Sequence, residues 1–284
     1  MSEPDPHRRR PSLRAVLTAL GAVVPLAVIV VAVALSGSGG AAGQTTSAPT
    51  SHFVPAASGQ TAAVQTTSTS TSTSRNTAAP GLKLPTGPGA LVAQLTRATD
   101  LHAHPGGRVL ARLSTKSEFG SPAVLWVERH SGRWLGVASP KAGNNHIGWI
   151  RASAASLSRV TWQLRVSLSG RRLTVLNGGK VAQRYTVAIG APAAPTPTGH
   201  FAVTDRLLTG TSSGPYGCCI LALSATAPHA IQDWSGGNRI AIHSTVETSS
   251  IGEAVSHGCM RLTLAEGRWL IEHVPLGTPT FITS

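Results

Sequence analysis

Two histidines and a cysteine fall within seventeen residues near the end of the chain, between His243 and Arg261. The run reads His243-Ser244-Thr245, then a loop containing Gly252, then Ser256-His257-Gly258-Cys259-Met260-Arg261. A thiol in such company can serve as a nucleophile if three needs are met: a thiolate, a group that moves protons, and donors for an oxyanion. A free cysteine titrates near about 8.5, and a neighbouring imidazolium or guanidinium lowers that value. His243 and His257 are the candidates for proton transfer, and Arg261 supplies positive field. Backbone N–H groups around Gly258-Cys259 are candidates for an oxyanion hole, because Gly258 permits close approach and unusual φ/ψ. His257 faces the same way as Cys259 if the turn is extended, and need not if it is tightly bent. His243 ends a separate strand, Arg239-Ile240-Ala241-Ile242, and has to be brought in by the fold.

Other readings compete. Cys259 could be a buried structural cysteine with unrelated histidines nearby. A zinc site from His243, His257 and Cys259 has poor ligand spacing and lacks an obvious fourth ligand, so no metal is expected. Redox chemistry would favour Cys-x-x-Cys, which is absent. Cys218-Cys219 is an adjacent pair; vicinal disulfides are uncommon, so two buried thiols are expected there. Three cysteines leave at least one unpaired within the chain and exclude a dense disulfide framework.

The rest of the chain is read by how it would position that stretch. Net charge is +13 over 284 residues. The excess is spread as four, five and four over residues 1–88, 89–157 and 158–284. Beyond Arg8-Arg9-Arg10 there is no basic run, and the stripe that a nucleic-acid binder concentrates is missing. Diffuse positive charge suits anionic lipid or an anionic wall polymer. Residues 1–14 form a basic tail. Residues 15–35 are free of charge and long enough to cross a bilayer. Arg8, Arg9, Arg10 and Arg14 precede them, which puts the N-terminus in the cytoplasm and the remainder outside. The length favours a retained single-pass membrane anchor over a cleaved signal peptide, although Ala32-Val33-Ala34 would serve as a cleavage site. Residues 36–88 are rich in Ser, Thr, Gly, Ala and Pro. They read as a flexible tether with a coil dimension of roughly 40 Å.

Two folded segments follow, both mostly β. Residues 89–156 show short strands at 109–113, 124–129, 134–137 and 147–150, the pattern of a small all-β barrel. The Gly-x-Trp-Leu-x-Val and Gly-Trp-Ile runs resemble Src-homology-3-type barrels. Trp126, Trp134 and Trp149 are expected in its core, and His102, His104, His130 and His146 in exposed turns. Residues 158–284 begin with alternating strands at 162–168 and 172–176. Asn177-Gly178 signals a tight hairpin between φ > 0 residues. Thr263-Leu264-Ala265-Glu266 fits a capping box for one late helix, and 277–282 reads as a closing edge strand.

The His243 and Ser256-His257-Gly258-Cys259-Met260-Arg261 elements resemble the signature of the L,D-transpeptidases with a YkuD-type catalytic domain, over most of 160–283. Gly214-Pro215-Tyr216-Gly217 and Pro275-Leu276-Gly277-Thr278-Pro279 add to the likeness. The resemblance implies a β-sandwich catalytic domain with a late helix. It also implies two-step acyl transfer on peptidoglycan stem tetrapeptides: thioester formation at Cys259 with loss of D-alanine, then resolution by an amine to give a 3→3 cross-link. Under it, His243 is the proton donor and acceptor, and Ser244, a residue that is glycine in many members, orients it through the backbone. His257 shapes the pocket or stabilises the thiolate. Gly258 offers an oxyanion-hole amide, while Arg261, Ser256 and Tyr216 meet substrate. No cofactor is implied, and carbapenems are expected to acylate the thiol. An L,D-carboxypeptidase, with water as acceptor, and a non-catalytic wall-binding module are the alternatives.

Overall fold

The structure is a computed structural model that describes residues 82–228 and 237–284. The basic tail, the apolar run 15–35 and most of the tether lie outside the described residues. Among the described residues, no helix is long and apolar enough to cross a membrane.

The first sheet holds β1 (Ala90–Leu95), β2 (Thr99–His102), β3 (Val109–Leu113), β4 (Val124–Ser131), β5 (Trp134–Ala138), β6 (Ile147–Arg151) and β7 (Ala155–Val160). Its seven strands run in the order β3-β2-β6-β5-β4-β1-β7, and every pairing is antiparallel. Period-2 alternation puts Leu101, Leu135 and Ile150 fully inside one core. That core also takes in Leu82 and Leu84. Arg159 fixes the same segment by donating from Nε to the Pro85 carbonyl at 2.9 Å and from Nη1 to the Gly89 carbonyl at 2.6 Å. Residues 82–88, expected as part of the tether, are instead packed and hydrogen-bonded against this sheet, because two leucines supply the apolar surface that offsets ordering. The sheet also runs past the expected limit at 156, since β7 pairs with β1 out to Val160.

The second sheet is built from β8 (Trp162–Ser167), β9 (Arg172–Asn177), β10 (Lys180–Thr186), β12 (Gly199–Leu208), β13 (Cys219–Thr226), β14 (Arg239–Ser244), β16 (Met260–Leu262) and β17 (Pro279–Thr283). Its eight strands run in the order β10-β9-β8-β17-β12-β13-β14-β16. A short parallel pair, β11 (Ile189–Gly190) with β15 (Ala254–Ser256), flanks it. The long strand β12 pairs with β17 through Gly199–Ala202 and with β13 from Val203 onward, with a register shift between Val203 and Asp205. A strand that bulges in mid-course turns the corner of a sandwich, and one core containing Leu164, Phe201, Leu223, Ile242 and Met260 joins the two halves.

Two local details refine the sequence reading. Asn177 ends β9 and pairs with Lys180, so the hairpin turns at Gly178-Gly179, with φ of +57° and +80°. The turn sits one residue later than expected, because two consecutive glycines meet the φ > 0 requirement at less steric cost than Asn-Gly. The helix α1 (Leu264–His273) carries the full capping box: Thr263 accepts from the Glu266 amide at 3.3 Å, and the Thr263 amide donates to Glu266 Oε2 at 2.8 Å.

Candidate active site

Strand β14 is buried at every position. It pairs antiparallel with β13, setting Ile220 opposite His243. It pairs in parallel with β16, setting Ile242 opposite Met260 and His243 opposite Arg261. A parallel neighbour needs a crossover, and residues 245–259 make it. Cys259 lies at the last position of that crossover and so comes to rest beside Ala241. Ala241 and His243 are two apart on one strand and share a face, about 7 Å along it. Cys259 packs with Ala241 and Ile220, and Tyr216 and Leu207 close over them. The Tyr216 ring stands edge-on to the His243 ring, with centroids 4.8 Å apart. The fold thus gathers Cys259, His243 and Tyr216 onto one face.

His243 is buried, and its Nδ1 lies 2.8 Å from the Ser244 carbonyl oxygen. A carbonyl only accepts, so Nδ1 carries the hydrogen and Nε2 keeps its lone pair. Burial lowers the His243 pKa to about 4; the Ser244 bond opposes this and the charge of Arg261 adds to it. Burial likewise pushes the Cys259 thiol up to about 11, against the Ala241 backbone and the Arg261 charge. At neutral pH the pair rests as thiol and neutral imidazole. The lowering of the thiol pKa expected from neighbouring positive charge is present through Arg261, but burial outweighs it.

The turn before Cys259 is held from inside. The Gly258 amide donates to Ser256 Oγ at 3.1 Å, and Ser256 Oγ donates to the Cys259 carbonyl at 2.5 Å. Thr196 Oγ1 donates to the Gly258 carbonyl and accepts from the Gly190 amide, both at 2.9 Å. Gly258 has φ +110°, and a Cβ there would come within 2.8 Å of Ile240 Cδ1. These bonds place two of the expected site residues inside the turn. The Gly258 amide is engaged by Ser256, so it is not an open oxyanion donor. Ser256 is buried, with its hydroxyl committed inside the turn to the Gly258 amide and the Cys259 carbonyl. The Gly258 carbonyl points at Thr196, and across a trans peptide the Cys259 N–H points the opposite way.

His257 is exposed while Cys259 is buried, because the positive φ at Gly258 breaks the extended geometry that would have put both side chains on one side. Arg261 is partly buried: Nη1 lies 3.1 Å from Glu247 Oε2, and Nε is buried without a hydrogen-bond partner among the described residues. Cys218 and Cys219 are joined as a disulfide, and Cys259 is the free cysteine. This corrects the expectation of two buried thiols. Adjacent side chains alternate faces in a strand, but the turn through Gly217, with φ +54°, bends the chain at Cys218 and brings the two sulfurs together. Thr196 was missed from sequence because Pro195-Thr196-Pro197 reads only as a strand breaker. Among the described residues, no group of three or more His, Cys, Asp or Glu is placed to hold a metal ion.

A buried cysteine at the end of a crossover and a tautomer-fixed histidine on the adjacent strand of a β-sandwich define a cysteine-dependent acyltransferase type of site. The comparisons give the family. Residues 162–282 match the YkuD family, described as an L,D-transpeptidase catalytic domain. A protein of Bacillus licheniformis named for the L,D-transpeptidase YkuD is 32% identical over 124 residues, which cover 44% of this chain and 67% of that protein. Its namesake in Bacillus subtilis is 31% identical over 119 residues, covering 42% and 64%. Among solved structures, L,D-transpeptidase 3 of Mycobacterium tuberculosis, in complex with a faropenem-derived adduct, aligns at 20% identity and a TM-score of 0.36, covering 59% of this chain and 76% of that one. The chain belongs to the YkuD L,D-transpeptidase family, and it spans about two thirds of the curated relatives' length.

Proposed function

We propose that the protein is an envelope L,D-transpeptidase that forms 3→3 cross-links between peptidoglycan stem peptides. The observation that carries this reading is the placement of Cys259 beside Ala241, on the face of β14 that also presents His243. As the thiol attacks the carbonyl of the third stem residue, its proton passes to His243 Nε2. The backbone N–H of Cys259 stabilises the developing oxyanion. Collapse of the tetrahedral adduct breaks the peptide bond, and the proton on Nε2 leaves with the amine of D-alanine. An acceptor amine then attacks the thioester, gives its proton to Nε2 and regenerates the thiol. A neutral resting pair suits this sequence, because the base stays unprotonated at neutral pH and ionisation is confined to the reacting complex. His257 and Arg261 form the outer wall of the pocket, with the Arg261 charge available to a substrate carboxylate. Residues 15–35 act as a single-pass anchor and the segment after them as a tether, placing the catalytic domain outside the membrane in the wall space.

The test is to incubate the full-length protein with a stem tetrapeptide, with and without an amine acceptor, and with imipenem as a covalent probe. Cross-linked dimer with release of D-alanine, and a mass adduct on Cys259 lost in Cys259→Ala, are the expected results. Release of D-alanine without dimer would indicate a carboxypeptidase, and no adduct would indicate a non-catalytic wall-binding module.

A further inference from the structure

Behind His243 lies a buried arrangement that the acyl-transfer chemistry does not use. Ser244 is fully buried, and its side chain is the meeting point of three elements. Its hydroxyl accepts from the Cys219 amide at 3.1 Å. For its own proton it has the Tyr216 carbonyl at 3.2 Å and the Cys219 carbonyl at 3.4 Å. Cys218 Sγ lies 3.6 Å from the same oxygen. Space for this side chain exists only because two neighbours are glycine. A Cβ on Gly217 would come within 2.5 Å of Ser244 Oγ, and one on Gly267, in α1, within 2.7 Å of Ser244 Cβ. Ser244 is therefore clasped between the turn 216–219 and the helix, and its carbonyl is the group that holds His243 Nδ1. The turn reaches His243 a second time, through the Tyr216 ring.

We propose that the Ser244 hydroxyl and the Cys218–Cys219 disulfide together position His243, and that opening this disulfide with a dithiol slows acyl transfer. The proposal rests on the acyl-transfer reading of the site. The step is thiol–disulfide exchange: the dithiol supplies two electrons and two protons, the S–S bond breaks, Cys218 and Cys219 become thiols, and the reductant leaves as its own disulfide. Two unbonded sulfurs need roughly 3.5–4 Å between them. In a closely packed interior that room comes from moving the turn. The moved groups are the Cys219 amide and the Tyr216 carbonyl, both bonded to Ser244, and the Tyr216 ring on His243. The groups facing His243 are Arg261 on β16, with Glu247 behind it, Tyr216 on the turn and the Cys259 thiol. Ile220 on β13 and Gly267 on α1 carry no charge.

The experiment measures the rate of imipenem acylation of the full-length protein against pH, by intact mass. It compares the protein as purified, the protein treated with dithiothreitol and then freed of it, Cys218→Ser/Cys219→Ser, Ser244→Ala, and Ser244→Ala after the same treatment. The native peptide spanning 218–219 is expected two hydrogens lighter than its reduced form. Reduction, the double substitution and Ser244→Ala are each expected to slow acylation about ten-fold, the scale of a small misplacement of a catalytic group. Each should also move the acid limb to higher pH, as a loosened imidazole regains hydration; a loss of stability alone would leave that limb in place. Reduction should slow Ser244→Ala less than it slows the wild type, since only the Tyr216 ring then still links the turn to His243. Two free thiols in the native protein, or superimposable profiles before and after reduction, would overturn the proposal; the treated wild type decides this even if the double variant fails to fold. Absence of acylation in the untreated wild type would overturn the acyl-transfer reading along with it.

Discussion

At the scale of single residues, the site is governed by desolvation. Cys259 and His243 are pushed in opposite directions, to about 11 and about 4, by the same burial, and both shifts favour uncharged forms. The free protein is therefore expected to hold its acylation rate from neutrality down to about pH 4, where His243 takes up a proton and the base is lost. A pH series of imipenem acylation checks this, and an acid limb near the ordinary histidine range would contradict it. The same depressed value bears on stability. Between about pH 6.5 and 4 the unfolded chain protonates this histidine and the folded chain does not, so the unfolded state binds more protons and stability falls as pH is lowered through that window. The contribution reaches roughly 3 kcal/mol at its acid end. Denaturant titrations at pH 7 and pH 4.5 should differ in that direction, and His243→Gln should flatten the difference. Gly258 sets a different limit. Its φ of +110° is strained for any residue with a side chain, and a Cβ there would also have to displace the Ile240 Cδ1 methyl, 2.8 Å away. Gly258→Ala is expected to cost about 1–3 kcal/mol and to reduce acylation at least about a hundred-fold, as read by thermal unfolding and intact mass on the same sample.

At the scale of elements, the nucleophile is held by a polar pin between distant parts of the chain. Thr196 joins β11 to the crossover by bonding both the Gly190 amide and the Gly258 carbonyl. Thr196→Val keeps the shape and removes both bonds, leaving a buried donor and a buried acceptor unsatisfied, so a loss of about 2–5 kcal/mol is expected. The displaced Gly258–Cys259 peptide should also lower the acylation rate constant with little change in inhibitor binding, a split that stopped-flow kinetics resolves. How legible such features are in sequence follows from how local their physics is. The capping box at Thr263 and Glu266 is a four-residue pattern, and it was readable. The run from Ser256 to Arg261 was readable as chemistry because its residue types are scarce together. The positive φ that turns His257 outward, the Gly258 amide spent on Ser256, and the Thr196 pin depend on contacts made only after folding. The Cys218–Cys219 bond is hidden in the sequence for the same reason: the turn through Gly217 brings together two side chains that a strand would separate.

At the scale of the molecule, the two sheets are joined by buried and half-buried contacts. Trp126 of β4 packs with Ala202 of β12 and Phe281 of β17, its ring 5.5 Å from that of Phe281. Ser117 donates to Asp205, a fully buried carboxylate of β12. Asn144 takes the Thr226 amide at 2.9 Å and donates to the Thr226 carbonyl at 2.7 Å. Arg239, at the start of the strand that carries His243, pairs with Glu118 from the loop between β3 and β4, with the arginine side chain only 4% exposed. A desolvated guanidinium that loses its carboxylate keeps its desolvation cost and forfeits the compensation. The first sheet is thus part of the scaffold of the catalytic strand, and residues 82–284 are expected to unfold in one cooperative step. Calorimetry and tryptophan fluorescence should give coincident transitions, since Trp126, Trp134 and Trp149 report the first sheet and Trp162 and Trp269 the second. Glu118→Gln is expected to lower stability by about 1–3 kcal/mol, with both reporters shifting together and the acylation-competent fraction falling along the same curve. Trp126→Ala, which empties the contact between the sheets, should cost about 3–5 kcal/mol. Two separated transitions in the wild type, or a shift confined to the first-sheet reporters in either variant, would show that the small sheet is only an appended module.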